Sequence, residues 1–163
     1  MVAQARETDM KLSDYLRADL VAVGVQVSDS TGLIEWLADF FHENLPQLDR
    51  QSLYQAFHER DQKRQAGLEC GLAVPHAMLP GIERPVCAVV RLAEPIPMGT
   101  IDGSLVRLVF AVVSPADQPA AHVRLLARLA RLCCRPHFLE QSTAAADAAA
   151  LLEVVRREDE RHV

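Results

Sequence analysis

His76 closes the stretch Gly71-Leu72-Ala73-Val74-Pro75-His76. The apolar run reads as a short strand. Pro75, with a fixed φ and no backbone donor, ends it and sets the exit direction. A histidine placed there is mounted at a strand end, on backbone rather than on a long loop. Its imidazole titrates near neutrality, and the neutral ring offers a nucleophilic nitrogen. On the hexapeptide alone, an ordinary turn histidine is the better reading. Two other residues change the balance. His122 falls near the start of the longest helical pattern, just after the most apolar strand pattern, and Arg60 ends the helical pattern that precedes His76. A strand end, a helix start and a loop entry can meet at one edge of a sheet, where α/β folds build sites.

A histidine that accepts a phosphoryl group needs three things: a free neutral nitrogen, a partner that fixes the tautomer through the other nitrogen, and donors for the phosphoryl oxygens. Such transfer is mostly positioning and charge stabilisation. His122 and Arg60 have the chemistry to be those donors. A metal site built on His76 and His122 lacks an evident third ligand at sensible spacing. A serine hydrolase is excluded because no G-x-S-x-G elbow occurs.

The elements that must position these residues can be read along the chain. Residues 11–16 read as a short helical turn, after a polar, loose start at residues 1–10. A first or edge strand is expected near residues 20–27. Ser28-Asp29-Ser30-Thr31 starts a helix with Leu33, Ile34, Leu37, Phe40 and Phe41 on one face and Trp36 at its side. Pro46 ends that helix, and Asp49 caps the next, which turns Leu53, Tyr54 and Phe57 inward. Residues 86–92 form a strand closed by Glu94-Pro95. Asp102-Gly103 is a turn dipeptide. Residues 105–113 form the most apolar strand, which belongs in the middle of a sheet. The longest helix covers residues 119–134, with Val123, Leu125, Leu126, Leu129, Ala130 and Leu132 as its buried face. Arg124, Arg128, Arg131 and Arg135 make one stripe along it, read as a solvated face, with a docking surface for an acidic partner as the sharper alternative. Pro136 opens a short helix anchored by Phe138 and Leu139. Asp147 caps a last helix through Val155, and residues 156–163 read as a charged, frayed tail. The expected domain body is therefore 11–155, an α/β domain with helices on both faces of a mixed sheet.

Composition fits this picture. The chain has 163 residues, half of them hydrophobic, and 22 acidic against 17 basic side chains, for a net charge of −5. An acidic balance argues against nucleic acid, which demands a basic face. No apolar run approaches the roughly 20 residues that cross a bilayer, and no basic-then-apolar leader opens the sequence. Cys70, Cys87, Cys133 and Cys134 form no C-x-x-C pair, so neither a zinc site nor a disulfide framework is indicated. Reduced, mostly buried thiols in a cytoplasmic protein are expected.

Gly67-Leu-Glu-Cys-Gly71-Leu-Ala-Val-Pro-His76 resembles the phosphorylation-site segment of enzyme IIA domains of the bacterial phosphotransferase system, fructose/mannitol/nitrogen-regulatory class. Glu94-Pro95-Ile96, Ile101-Asp102 and residues 106–110 resemble that family's central strands and loop. Pro115-Ala116-Asp117 with His122, Leu125, Leu126 and Leu129 resembles its long helix with a second site histidine, and residues 144–152 its closing helix. The similarity runs from about residue 11 to residue 155.

The resemblance implies a three-layer α/β/α sandwich with a mixed central sheet. It implies phosphorylation of His76, with His122 and Arg60 contacting the phosphoryl group. The donor would be a small histidine phosphocarrier protein, and no metal or organic cofactor is implied. Within the class, the nitrogen-regulatory type is expected, because no permease or sugar-specific domain is fused within these residues. Its phosphorylation state would be read by regulated target proteins. Two alternatives stand: a binding regulator of the same fold with weakened phosphorylation, and a sugar-type domain that passes phosphate to a separate permease domain. Departures from the family pattern are Arg64-Gln65-Ala66 where Gly-Ser-Thr is usual, Ala77 where glycine is common after the histidine, Arg107 where an acidic residue is common, and a divergent Met98-Gly99-Thr100 loop.

Overall fold

A computed structural model describes residues 11–63, 70–133 and 135–161. The expectations for residues 1–10, for Arg64-Gln65-Ala66, for Gly67 and for Cys134 lie outside the described residues. A 3₁₀ turn over Leu12–Tyr15 leads into strand β1, Leu16–Val25. Helices α1, Ser30–Asn44, and α2, Arg50–Gln62, follow. Then come β2, Leu72–Ala73; β3, His76–Leu79; β4, Val86–Ile96; and β5, Val106–Pro115. Helices α3, Pro119–Cys133; α4, Pro136–Ala144; and α5, Ala148–Arg161, complete the fold.

The sheet is mixed. β1 runs parallel to β4 at one edge, β4 and β5 pair antiparallel at the centre, and β2 and β3 both run parallel to β5 on its other side. Every residue of β5 except Arg107 is buried, as a strand covered on both faces requires. The period-2 alternation of β5 divides the core in two. Val109, Ala111 and Val113 point to α1 and α2, whereas Leu108, Phe110 and Val112 point to α3, α4 and α5. The domain is thus a three-layer α/β/α sandwich.

Helix starts follow local capping chemistry. Asp29 Oδ1 accepts from Gly32 N–H at 2.8 Å and Asp49 Oδ2 from Ser52 N–H at 2.9 Å, while Asp147 Oδ1 accepts from Ala150 N–H at 2.8 Å. Each satisfies a donor that the first helical turn leaves open. Trp36 stacks on Phe40 with ring centroids 4.6 Å apart, at the margin of the core.

Four features differ from the sequence reading. Pairing does not stop at His76. Pro75 interrupts the edge strand, yet its carbonyl accepts from Val112 N–H at 2.9 Å, and the register continues unbroken from Ala73 opposite Val109 to His76 opposite Val112. Proline is tolerated because β2 and β3 form a sheet edge, where its missing N–H leaves no ladder bond unmade. Likewise, β4 does not close at Glu94-Pro95. It continues to Ile96 through a register irregularity after Arg91.

The long helix is rotated relative to the expected face. Val123 and Ala130 are exposed, while His122 and Arg128 are buried. Arg128 leaves the solvated arginine stripe to bind Asp159. Its Nε and Nη2 donate to Asp159 Oδ1 at 3.0 and 2.8 Å. Finally, residues 156–161 are not frayed but continue α5, with Glu158 and Asp159 buried. Asp159 also accepts from Leu12 N–H at 3.1 Å and Ser13 N–H at 3.0 Å, so it caps the 3₁₀ turn at the start of the domain.

Candidate functional site

His76 begins β3, and strand alternation decides which way it faces. Leu72 and Val74 belong to the core on the α3 side, and Ala73, Ala77 and Leu79 to the opposite core. His76 shares the parity of Leu72 and Val74, so it faces the α3 layer. His122 occupies the first turns of α3 and is 5% exposed. The two imidazole centroids lie 5.5 Å apart with ring planes inclined by 46°.

Each ring is anchored through Nδ1. His76 Nδ1 lies 2.9 Å from the Val74 carbonyl oxygen. A carbonyl only accepts, so this nitrogen carries the proton and Nε2 of the neutral ring keeps its lone pair. His122 Nδ1 lies 2.6 Å from Ser114 Oγ. Ser114 is fully buried near the end of β5, opposite Met78 in the ladder.

Arg60 sits in the last turn of α2, half-buried, and α2 packs on β3. Because β3 is an edge strand, the end of a helix on one face can act on a ring on the other. The arginine charge is felt at both histidines. Burial lowers the His76 pKa below its ordinary value; the Val74 carbonyl opposes this and Arg60 reinforces it. Burial, then the neighbouring His76, then Arg60 push His122 down to about 4. Both rings are therefore neutral at pH 7. The structure thus brings all three sequence-predicted residues, His76, His122 and Arg60, into one electrostatic neighbourhood.

Other expectations fall elsewhere. Cys70 is exposed at φ 58°, its N–H donating to Asp102 Oδ2 at 3.0 Å, whereas Cys87 is buried. Ala77 is 2% exposed in the α1–α2 core, so a methyl in place of a glycine is accommodated by packing. Among the described residues there is no group of three or more His, Cys, Asp or Glu able to hold a metal ion. The sequence reading assigned no role to Ser114. Its only signal was a hydroxyl directly after the most apolar strand, eight residues before His122.

A neutral histidine with its tautomer fixed through Nδ1, a second neutral histidine beside it and a guanidinium whose charge reaches both rings make an arrangement whose chemistry suits phosphoryl acceptance. Comparison with known proteins gives the class. The chain belongs to the family described as phosphoenolpyruvate-dependent sugar phosphotransferase system, EIIA 2, whose model matches residues 14–158. It is a IIA-type component of that system.

Its similarity extends to particular members. A nitrogen regulatory protein from Pseudomonas aeruginosa is 27% identical over 146 residues, covering 90% of this chain and 95% of the relative. The fructose-specific EIIABC component of Bacillus subtilis is 22% identical over 150 residues, which cover 92% of this chain but only 24% of that protein. Among solved structures, the nitrogen regulatory protein IIA-Ntr from Neisseria meningitidis superposes with a TM-score of 0.81 at 20% identity, over 88% of this chain and 98% of that one. IIA mannitol from Escherichia coli gives a TM-score of 0.69 at 14% identity, over 85% of this chain and 97% of that one. At these identities the structures share the fold. No helix among the described residues is long and apolar enough to cross a membrane.

Proposed function

We propose that His76 is the phosphoryl acceptor and that its Nε2 forms the bond to phosphorus. The observation that carries this is the contact between His76 Nδ1 and the Val74 carbonyl at 2.9 Å. The donor is the phosphohistidine of a small carrier protein. The Nε2 lone pair attacks phosphorus, the donor's N–P bond breaks, and its electron pair returns to the donor imidazole. Positive charge then develops on the His76 ring, and Nδ1–H, already donated to Val74, shares that charge with the carbonyl. His122 and Arg60 supply donors and charge to the phosphoryl oxygens. No cofactor enters this step.

The nitrogen-regulatory role is the one the relatives favour. The Pseudomonas nitrogen regulatory protein is matched through 95% of its length, whereas the fructose-specific Bacillus protein is matched through 24%. In this role the cytoplasmic protein carries its phosphoryl group as a signal, and target proteins read the two states. Phosphorylating ¹⁵N-histidine-labelled protein with phosphoenolpyruvate, enzyme I and the carrier tests the assignment. Phosphorus coupling at Nε2 of His76 is expected. Coupling at Nδ1, or at another histidine, would overturn it.

A further inference from the structure

We propose that Ser114 is a positioning residue for phosphoryl transfer: its hydroxyl donates to Nδ1 of His122 and so fixes His122 as the Nε2–H tautomer. This rests on the reading of His76 as phosphoryl acceptor. Ser114 has no exposed surface. Among the described residues, the partner of its hydroxyl is His122 Nδ1, at 2.6 Å. A buried hydroxyl that accepts without donating leaves its own proton unsatisfied, which is costly in a core. The serine therefore gives its proton to Nδ1. A neutral imidazole that accepts at Nδ1 carries its hydrogen on Nε2. His122 remains neutral at pH 7, because burial, His76 and Arg60 all oppose a charge on it.

The two rings are thereby held in opposite roles by their surroundings. A carbonyl at Nδ1 makes His76 Nε2 a lone-pair nucleophile, and a hydroxyl at Nδ1 makes His122 Nε2 a donor. With centroids 5.5 Å apart, one ring presents the attacking atom and the other a hydrogen for a phosphoryl oxygen. Had Ser114 been apolar, nothing at Nδ1 would hold His122 in the donor form. Ser114 and His76 also sit on neighbouring strands, with Ser114 opposite Met78, two residues beyond His76. The hydroxyl that sets the tautomer is thus built into the same sheet edge as the acceptor.

The test has two arms. Long-range ¹H–¹⁵N spectra of the unphosphorylated protein should show His122 as the Nε2–H tautomer. In Ser114→Ala the tautomers should mix, and in Ser114→Thr, which keeps the hydroxyl, the wild-type pattern should return. Phosphoryl transfer from the charged carrier should slow about three- to tenfold in Ser114→Ala, recover in Ser114→Thr, and be unaffected by Ser114→Ala in a His122→Ala background. An Nδ1–H tautomer in wild type, or unchanged spectra and rates in Ser114→Ala, would overturn the proposal. The spectral arm needs no phosphorylation, so it decides the role of Ser114 even if the acceptor assignment fails.

Discussion

The imidazoles of His76 and His122 face each other at 5.5 Å with their Nδ1 atoms both engaged, one by the Val74 carbonyl and the other by the Ser114 hydroxyl. Opposite partners at the same ring atom give the two histidines opposite chemistry. The sheet enforces this, since Val74 lies in the break between β2 and β3, two residues before His76, and Ser114 lies on β5 beside it. Side chains set by regular backbone are held more precisely than side chains on loops.

As the proposed acceptor, His76 must react in its neutral form, and burial lowers its pKa below the ordinary 6.5. The decline of acceptance at low pH should therefore be centred below 6.5. Initial rates with pre-charged carrier across this range check the point. A decline centred at or above 6.5 would contradict it.

Stability should carry the signature of His122. Its folded pKa is about 4 against an ordinary 6.5. Between those values the unfolded chain binds more protons, so stability falls as pH drops from 6.5 toward 4, and this contribution is fully retained above 6.5. Urea unfolding at about pH 7.5 and about pH 5 should show a smaller loss in His122→Gln than in wild type. Equal losses in the two proteins would mean that His122 titrates normally.

Asp159 ties the first turn of the domain to its last helix. Burial opposes its ionisation, but hydrogen bonds from Ser13, Arg128 and Leu12 overcome this and hold its pKa below the ordinary range. Asp159→Ala removes the Asp159 carboxylate from the Arg128 guanidinium, whose side chain is 10% exposed, and from the Leu12 and Ser13 N–H groups. The expected cost is about 3–5 kcal/mol by urea unfolding, and a loss under about 1 kcal/mol would show the pair to be incidental.

Gly71 holds the entry to β2 at φ +79°, and a Cβ there would stand 3.1 Å from the Leu105 carbonyl. Gly103 has a similar φ of +74° with nothing within 4 Å of a Cβ. Alanine at Gly103 should cost about 1–2 kcal/mol from backbone strain alone, and alanine at Gly71 distinctly more. The comparison is made in unfolding midpoints, and equal costs would show that the Leu105 contact relaxes freely.

The helices α1, α2, α4 and α5 were legible because their starts are written locally, in Asp29, Asp49, Pro136 and Asp147. The centrality of β5 was legible from its unbroken apolar run. The three candidate residues could be named by type, through His76 after a proline and His122 after the central strand, and the structure places them in one neighbourhood. What could not be read depends on partners far along the chain. Arg128 looks like one of four solvated arginines until Asp159, 31 residues on, is folded against it. The last turns of α5 look like a charged tail because the partners of the buried Asp159 lie on α3 and in the first turn of the domain. Pro75 looks like a terminator because the β5 donor that its carbonyl satisfies lies on another strand. Ser114 looks incidental until His122 is seen above it. Tautomers follow from such contacts and are absent from any spacing rule.

The most direct test of the central claim is the intact mass of the protein after incubation with phosphoenolpyruvate, enzyme I and the histidine carrier, with His76→Ala and His122→Ala run alongside. Wild type should gain one phosphoryl group, lost in acid, and His76→Ala should gain none while unfolding like wild type. His122→Ala should reach the same final mass, roughly a hundredfold more slowly. A phosphoryl group on His76→Ala, or none on wild type with a demonstrably charged carrier, would contradict the assignment of His76 as the acceptor.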